Sequence, residues 1–193
     1  EDWHRLGQAY LARTRRWRQQ RPRFTDKNVD NWAYAGAALA MLPGARVVNS
    51  RRDPLETCFA LYRQLFGNQS VNYSYDLDDI VGYYAGYAQL SKLWQQRHPA
   101  QCFDHDYEAL QAEPEAQIRR LLDFCELPFD PACLAFHQSS RTVLTISAAQ
   151  VRQPLRRDTA RSARYGEKLD ALREKLRAAG VSWSDVRPAR GEE

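Results

Sequence analysis

The chain has 193 residues, a formal net charge of +4 and an apolar share of 44%, enough for one core of ordinary size and too much for a disordered chain. No apolar run approaches the ~20 residues of a membrane-spanning helix, and these residues are not expected to include a secretory leader. A mild positive balance suits an anionic small molecule as well as nucleic acid, so charge alone separates neither. The arginines are bunched: seven stand against two acids between Glu1 and Arg23, and five against Asp158 alone between Arg152 and Arg164.

The first predicted element is a helix from Glu1 to Gln20, with Trp3, Leu6, Tyr10, Leu11 and Trp17 at helical spacing and arginines elsewhere on its surface. The aromatic stripe is expected to be buried. A polar break, "FTDKNVDN", leads to an Ala-rich helix from Ala33 to Met41, which "LPGA" ends. Arg46 to Ser50 reads as a short buried strand. The helix that follows should present Leu55, Phe59, Tyr62 and Phe66 on one face and close at Gly67-Asn68. The strongest helical pattern runs from Asp76 to Arg97, with Asp76, Asp78 and Asp79 in its first turn, where the macrodipole favours acids. "CFDHDYEAL" is a short strand and turn. A helix from Glu115 to Cys125, a short one near Pro131 to Phe136, a loop from Ser139 to Thr159 and a charged helix from Tyr165 to Ala179 complete the chain. Helices separated by short apolar strands predict an α/β layer with a parallel sheet. Cys58, Cys102, Cys125 and Cys133 show neither metal-ligand nor redox spacing. They are expected to be buried thiols of a reducing, cytoplasmic compartment.

The chemistry concentrates at "VVNSRRDPLETC". A strand ends in Arg51-Arg52, and Asp53-Pro54 opens a helix. Ligands of open parallel sheets bind beyond the carboxyl ends of strands. There the helix amides and a forked guanidinium attract phosphate or sulfate. An Arg–Asp pair that only caps the helix is the competing reading, and the motif alone favours neither. Of the histidines, His4, His98, His105 and His137, none has a carboxylate at a telling spacing, and His105 is expected to be structural.

Three stretches, "FTDKNVDNWAYAGAALAMLPGARVVNSRRDPLETCFALYRQLF", "FDHDYEAL" and "LTISAAQVRQPLRRDTARSARY", together resemble the PAPS-dependent sulfotransferases. The branch they are most similar to is the bacterial one often fused to tetratricopeptide repeats and related to tyrosylprotein sulfotransferases. The resemblance implies a three-layer α/β sulfotransferase fold, P-loop-like, with a parallel sheet flanked by helices, over residues 1–180, followed by a tail at 181–193. It implies PAPS (3′-phosphoadenosine 5′-phosphosulfate) as cosubstrate with no metal, and an acceptor hydroxyl or amine that the sequence does not identify. Arg52 falls on the arginine that binds the 3′-phosphate, and Tyr107 on the tyrosine against the adenine. Arg161, with Arg156 and Arg157, falls on a late basic loop over the 3′-phosphate. Lys27 falls on the lysine beside the transferring sulfuryl group, and Ser147 on a serine that stabilises the transition state.

The sequence departs from the family at several points. Ala60 stands where the family has a second 3′-phosphate ligand, a serine, and Thr57 is the hydroxyl one turn earlier that could replace it. Val29 stands where proline is usual, and Ser162 where tryptophan is. The family's Gly-rich 5′-phosphosulfate loop and its acidic general base are not among these residues, and the chain opens on Glu rather than Met. The expectation is therefore a C-terminal portion of a family domain, with an upstream segment or tetratricopeptide repeats as partners. The alternative is a catalytically inactive nucleotide- or polyanion-binding homologue. Nucleic-acid binding through the first helix would require aromatics interleaved with arginines on an exposed face, which a buried stripe argues against.

Overall fold

The computed structural model describes residues 2–18, 21–67, 69–139, 151–155 and 160–181. In chain order the elements are α1 (Asp2–Arg18), α2 (Asn31–Met41), β1 (Val47–Arg51), α3 (Pro54–Arg63), α4 (Leu77–Arg97), β2 (Cys102–Asp106), α5 (Tyr107–Ala112), α6 (Pro114–Phe124) and α7 (Asp170–Ala178), with 3-10 turns at Gln69–Tyr75, Pro131–Cys133, Phe136–Gln138 and Ser162–Leu169. β1 and β2 are neighbours in a small parallel sheet, with α3 and α4 in the connection between them. Helices joined to a parallel pair agree with the α/β class read from the sequence. No helix among the described residues is long and apolar enough to cross a membrane.

The chain divides into two compact units, Glu1–Asn49 with Gly86–Asp104, and Ser50–Ala85 with His105–Glu193. In the first, α1 lies against α2 at a point of very close approach. A Cβ at Gly7 would sit 2.0 Å from the Met41 carbonyl oxygen, so only glycine lets the two backbones meet there. The buried line of α1 follows from that contact: Gly7 is buried and Tyr10, Leu11, Thr14 and Arg18 are partly covered. Trp3, Leu6 and Trp17 are 51%, 47% and 64% exposed, which corrects the expectation of a buried aromatic stripe. The helical period is as expected, but its phase is set by a glycine that carries no hydrophobic signal. Trp94 of α4 closes over Gly36 and donates its indole N–H to the Trp32 carbonyl at 3.0 Å.

The core of the second unit is built from Leu55, Cys58 and Phe59 of α3, Ile80, Val81 and Tyr84 of α4, and Leu169, Leu172 and Leu176 around α7. α3 is shorter than its hydrophobic pattern suggests. It stops at Arg63 with Gln64 extended, and Tyr62 is 48% exposed. The Tyr75 hydroxyl accepts from the Phe66 N–H at 3.1 Å and donates to the Phe66 carbonyl at 3.0 Å. That pair of bonds holds Phe66 outside the helix. Asp76 precedes α4 as its cap, its carboxylate accepting from the N–H groups of Asp78 and Asp79 at 2.7 and 3.2 Å. All four cysteines are free; Cys58 and Cys102 are buried, whereas Cys125 and Cys133 are only half-buried, against the expectation of four buried thiols.

Candidate functional site

Both strands end in the same local device. β1 passes through Arg52 to Asp53, whose carboxylate accepts from the Glu56 N–H at 2.8 Å and caps α3. β2 ends at Asp106, whose carboxylate accepts from the Ala109 N–H at 2.8 Å and caps α5. Aspartate is favoured at such positions because it satisfies helix N–H groups that have no partner within the helix. Pro54 at the first turn of α3 forfeits nothing. Asp53 therefore caps α3, while the Arg52 guanidinium stands beside Glu56. The first amides of α3 are engaged by Asp53, and an anion arriving here would meet the arginine side chain.

The two caps bring Arg52 and Tyr107 together. The Arg52 guanidinium lies 5.3 Å from the centroid of the Tyr107 ring, in cation–π range. Its side chain is 30% exposed and stands 3.5 Å from the Glu56 carboxylate. Glu108, which follows Tyr107, accepts from the Asp53 N–H at 3.2 Å and ties the two strand ends at the backbone. The Gln111 amide reaches the Tyr107 hydroxyl at 3.4 Å.

Glu56 is the residue that sequence reasoning missed. Asp-x-x-Glu is the pattern of a reciprocal capping box, in which Glu56 would fold back onto the Asp53 N–H. Glu108 takes that N–H instead. The Glu56 carboxylate, 6% exposed as a residue, turns toward the segment that enters α7. It accepts from the Arg161 N–H at 2.9 Å to each oxygen and from the Ser162 N–H at 2.7 Å. Burial alone would push its carboxyl up. The Ser162 and Arg161 donors and the Arg52 charge outweigh that and hold it below the ordinary value of 4.5. Asp53 moves the other way, raised chiefly by burial despite its helix hydrogen bonds.

The remaining sequence candidates fall elsewhere. Lys27 is exposed and lies in the first unit. Beside it, Asp26 accepts from the Tyr10 hydroxyl at 2.6 Å and from the Asn31 amide at 3.4 Å. Burial first, then that bond to Asp26, pushes the Tyr10 phenol up to about 12. Ser147, Arg156 and Arg157 lie outside the described residues. Ala60 is exposed on α3, and the Thr57 hydroxyl, offered as a replacement donor, is given to the Asp53 carbonyl at 2.9 Å. His105 is buried, and burial, partly offset by Asp106, lowers its pKa, so it stays neutral at physiological pH.

A family described as "Sulfotransferase family" matches residues 2–131. The chain belongs to the sulfotransferase family. A curated relative, an uncharacterized protein of Aquifex aeolicus (strain VF5), is 33% identical over 163 residues, covering 83% of this chain and 21% of the relative. This sulfotransferase-family chain thus spans about a fifth of that relative's length. The family match takes in Lys27, Arg52, Glu56 and Tyr107, and ends before Arg161.

Proposed function

We propose that the chain carries the 3′-phosphate and adenine half of a PAPS site and serves sulfuryl transfer to a hydroxyl or amine acceptor. The observation that carries this reading is the placement of Arg52 and Tyr107 side by side at the carboxyl ends of two parallel strands, within a sulfotransferase-family chain. Arg52 offers a forked, permanently charged donor suited to a phosphate dianion. Tyr107 offers an aromatic face suited to a purine, and Arg161, tied to the same helix through Glu56, offers a second cation. Arg156 and Arg157 complete the basic loop in this reading.

In the reaction proposed, the acceptor oxygen or nitrogen forms a bond to sulfur as the bond from sulfur to the bridging phosphate oxygen breaks. The acceptor gives up its proton to a base that these residues do not identify. Lys27 would stabilise charge gathering on the bridging oxygen, and Ser147 would assist it, since fixed donors aimed at developing charge lower the barrier. The same proposal extends to the rest of the domain. It includes a complete three-layer sheet, a domain over 1–180 with a tail at 181–193, the bacterial branch associated with tetratricopeptide repeats, a 5′-phosphosulfate loop supplied from outside these residues, and a reducing, cytoplasmic setting.

Calorimetric titration with adenosine 3′,5′-bisphosphate tests the reading. Micromolar binding is expected, weakened roughly ten- to a hundredfold in Arg52→Ala, as the loss of a charge-assisted phosphate contact implies. Equal affinity in the two proteins would overturn the assignment of Arg52. A homologue that binds nucleotide without transferring a sulfuryl group is the second reading, favoured by Ala60 in place of the family's serine. It predicts bisphosphate binding with no consumption of PAPS in the presence of phenol, peptide or glycan acceptors.

A further inference from the structure

We infer that Glu56 is a positioning residue that holds the Arg161 segment against α3 and thereby sets the geometry of the Arg52 site. The inference rests on reading Arg52 and Arg161 as parts of one nucleotide site, and it adds the group that makes them one. Three features carry it. The carboxylate is buried, so it requires partners. It accepts from the N–H groups of Arg161 and Ser162, more than a hundred residues away in sequence, and stands beside the Arg52 guanidinium. The helix-capping task that its Asp-x-x-Glu spacing would assign it is performed by Glu108.

The donors are backbone groups. The Arg161 side chain is exposed and its aim depends on where its backbone is held. A carboxylate that grips two consecutive N–H groups fixes both position and direction of that backbone. Ser162 then has a defined part. It occupies the place where the family usually carries tryptophan, and its N–H and hydroxyl both donate to Glu56. Ser162 thus anchors the segment by hydrogen bonds.

A different role for the same carboxylate is simple charge balance for Arg52, and the two roles predict opposite results. As an anchor, Glu56 strengthens binding of a 3′-phosphate, and Glu56→Ala should weaken adenosine 3′,5′-bisphosphate about tenfold or more, with Glu56→Gln between the two because it keeps one accepting oxygen. As a counter-charge, Glu56 competes with the phosphate, and either substitution would tighten binding. Adenosine 5′-monophosphate, lacking the 3′-phosphate, should be nearly indifferent to both variants.

Limited trypsin digestion followed by mass spectrometry reads the anchor without any nucleotide. Cleavage after Arg161 and Arg164 should accelerate about tenfold in Glu56→Ala, while cleavage after Lys92 and Arg119 keeps its wild-type rate. Uniform acceleration at all four sites would show that the substitution unfolds the chain. In that case Glu56→Gln, nearly isosteric, decides by the same ratio. Unchanged cleavage at Arg161 and Arg164 in both variants overturns the anchor, whatever the nucleotide does. Faster cleavage there, in a protein that binds no bisphosphate even as wild type, would uphold the anchor and discard the nucleotide reading on which its purpose depends.

Discussion

Glu56 and Cys58 lie two residues apart on α3, and burial acts on them in opposite directions. Glu56 is buried with donors, so its charged form is favoured and its carboxyl sits below the usual range. A depressed carboxyl contributes stability that is present above its unfolded value of 4.5 and lost as pH falls through the folded value. Amide exchange at Arg161 and Ser162 should therefore quicken as pH is lowered from 4.5, after correction for intrinsic rates, and should lose that dependence in Glu56→Gln. Cys58 is fully buried, and burial, reinforced by the Asp53 charge, pushes its thiol up to about 12. Burial also raises Cys102. The thiolate is the reactive form, so alkylation at neutral pH should label the half-buried Cys125 and Cys133 first. Cys58 and Cys102 should react only once denaturant is added; early labelling of Cys58 would contradict the packing of α3.

At the scale of elements, glycine decides two junctions. Gly7 lets α1 meet the end of α2, where an added methyl would fall on the Met41 carbonyl. A backbone atom yields little, so Gly7→Ala should destabilise by about 1–3 kcal/mol in a denaturant titration, the usual cost of overpacking. Gly180, at φ +73 beyond α7, ends that helix, with Gly180 N–H bonded to Arg177 and Val181 N–H to Leu176, each at 3.0 Å. That is the left-handed close that glycine favours. α6 ends in the same way with Glu126 at φ +53, so the motif itself does not demand glycine. Most of these elements were legible from apolar period and caps. Asp53-Pro54 announced α3, and the acids after Asp76 announced α4. The length of α3 was not legible, because Tyr75 ends it from nine residues away through Phe66.

For the molecule as a whole, the exposed tryptophans of α1 bear on what the chain binds. Trp3 and Trp17 are exposed, and the Arg16 guanidinium stands 4.2 Å from the Trp17 ring centroid. Burial of the stripe therefore no longer argues against nucleic acid, and salt dependence becomes the separating measurement. A surface that tracks many phosphates loses affinity steeply with salt, whereas a bisphosphate gripped by a few arginines loses little. The expected result is a shallow salt slope for adenosine 3′,5′-bisphosphate. For single-stranded RNA we expect weak binding that disappears at moderate salt; tight, salt-resistant RNA binding would point to a different function.

By itself the sequence determined the α/β class, most element positions, and a strand ending in arginine before an Asp-Pro helix start. These are local properties, written in periodicity, capping residues and charge within a few positions of one another. The tertiary structure alone decided which face of α1 is covered, because a backbone contact at Gly7 outweighs the tryptophans on either side. It alone placed Arg52 beside Tyr107, since that depends on two strands far apart in the chain lying next to each other. It also decided the task of Glu56, whose spacing assigned it to its own helix. The carboxylate serves the backbone of Arg161 and Ser162 because a buried charge takes the donors that folding brings to it.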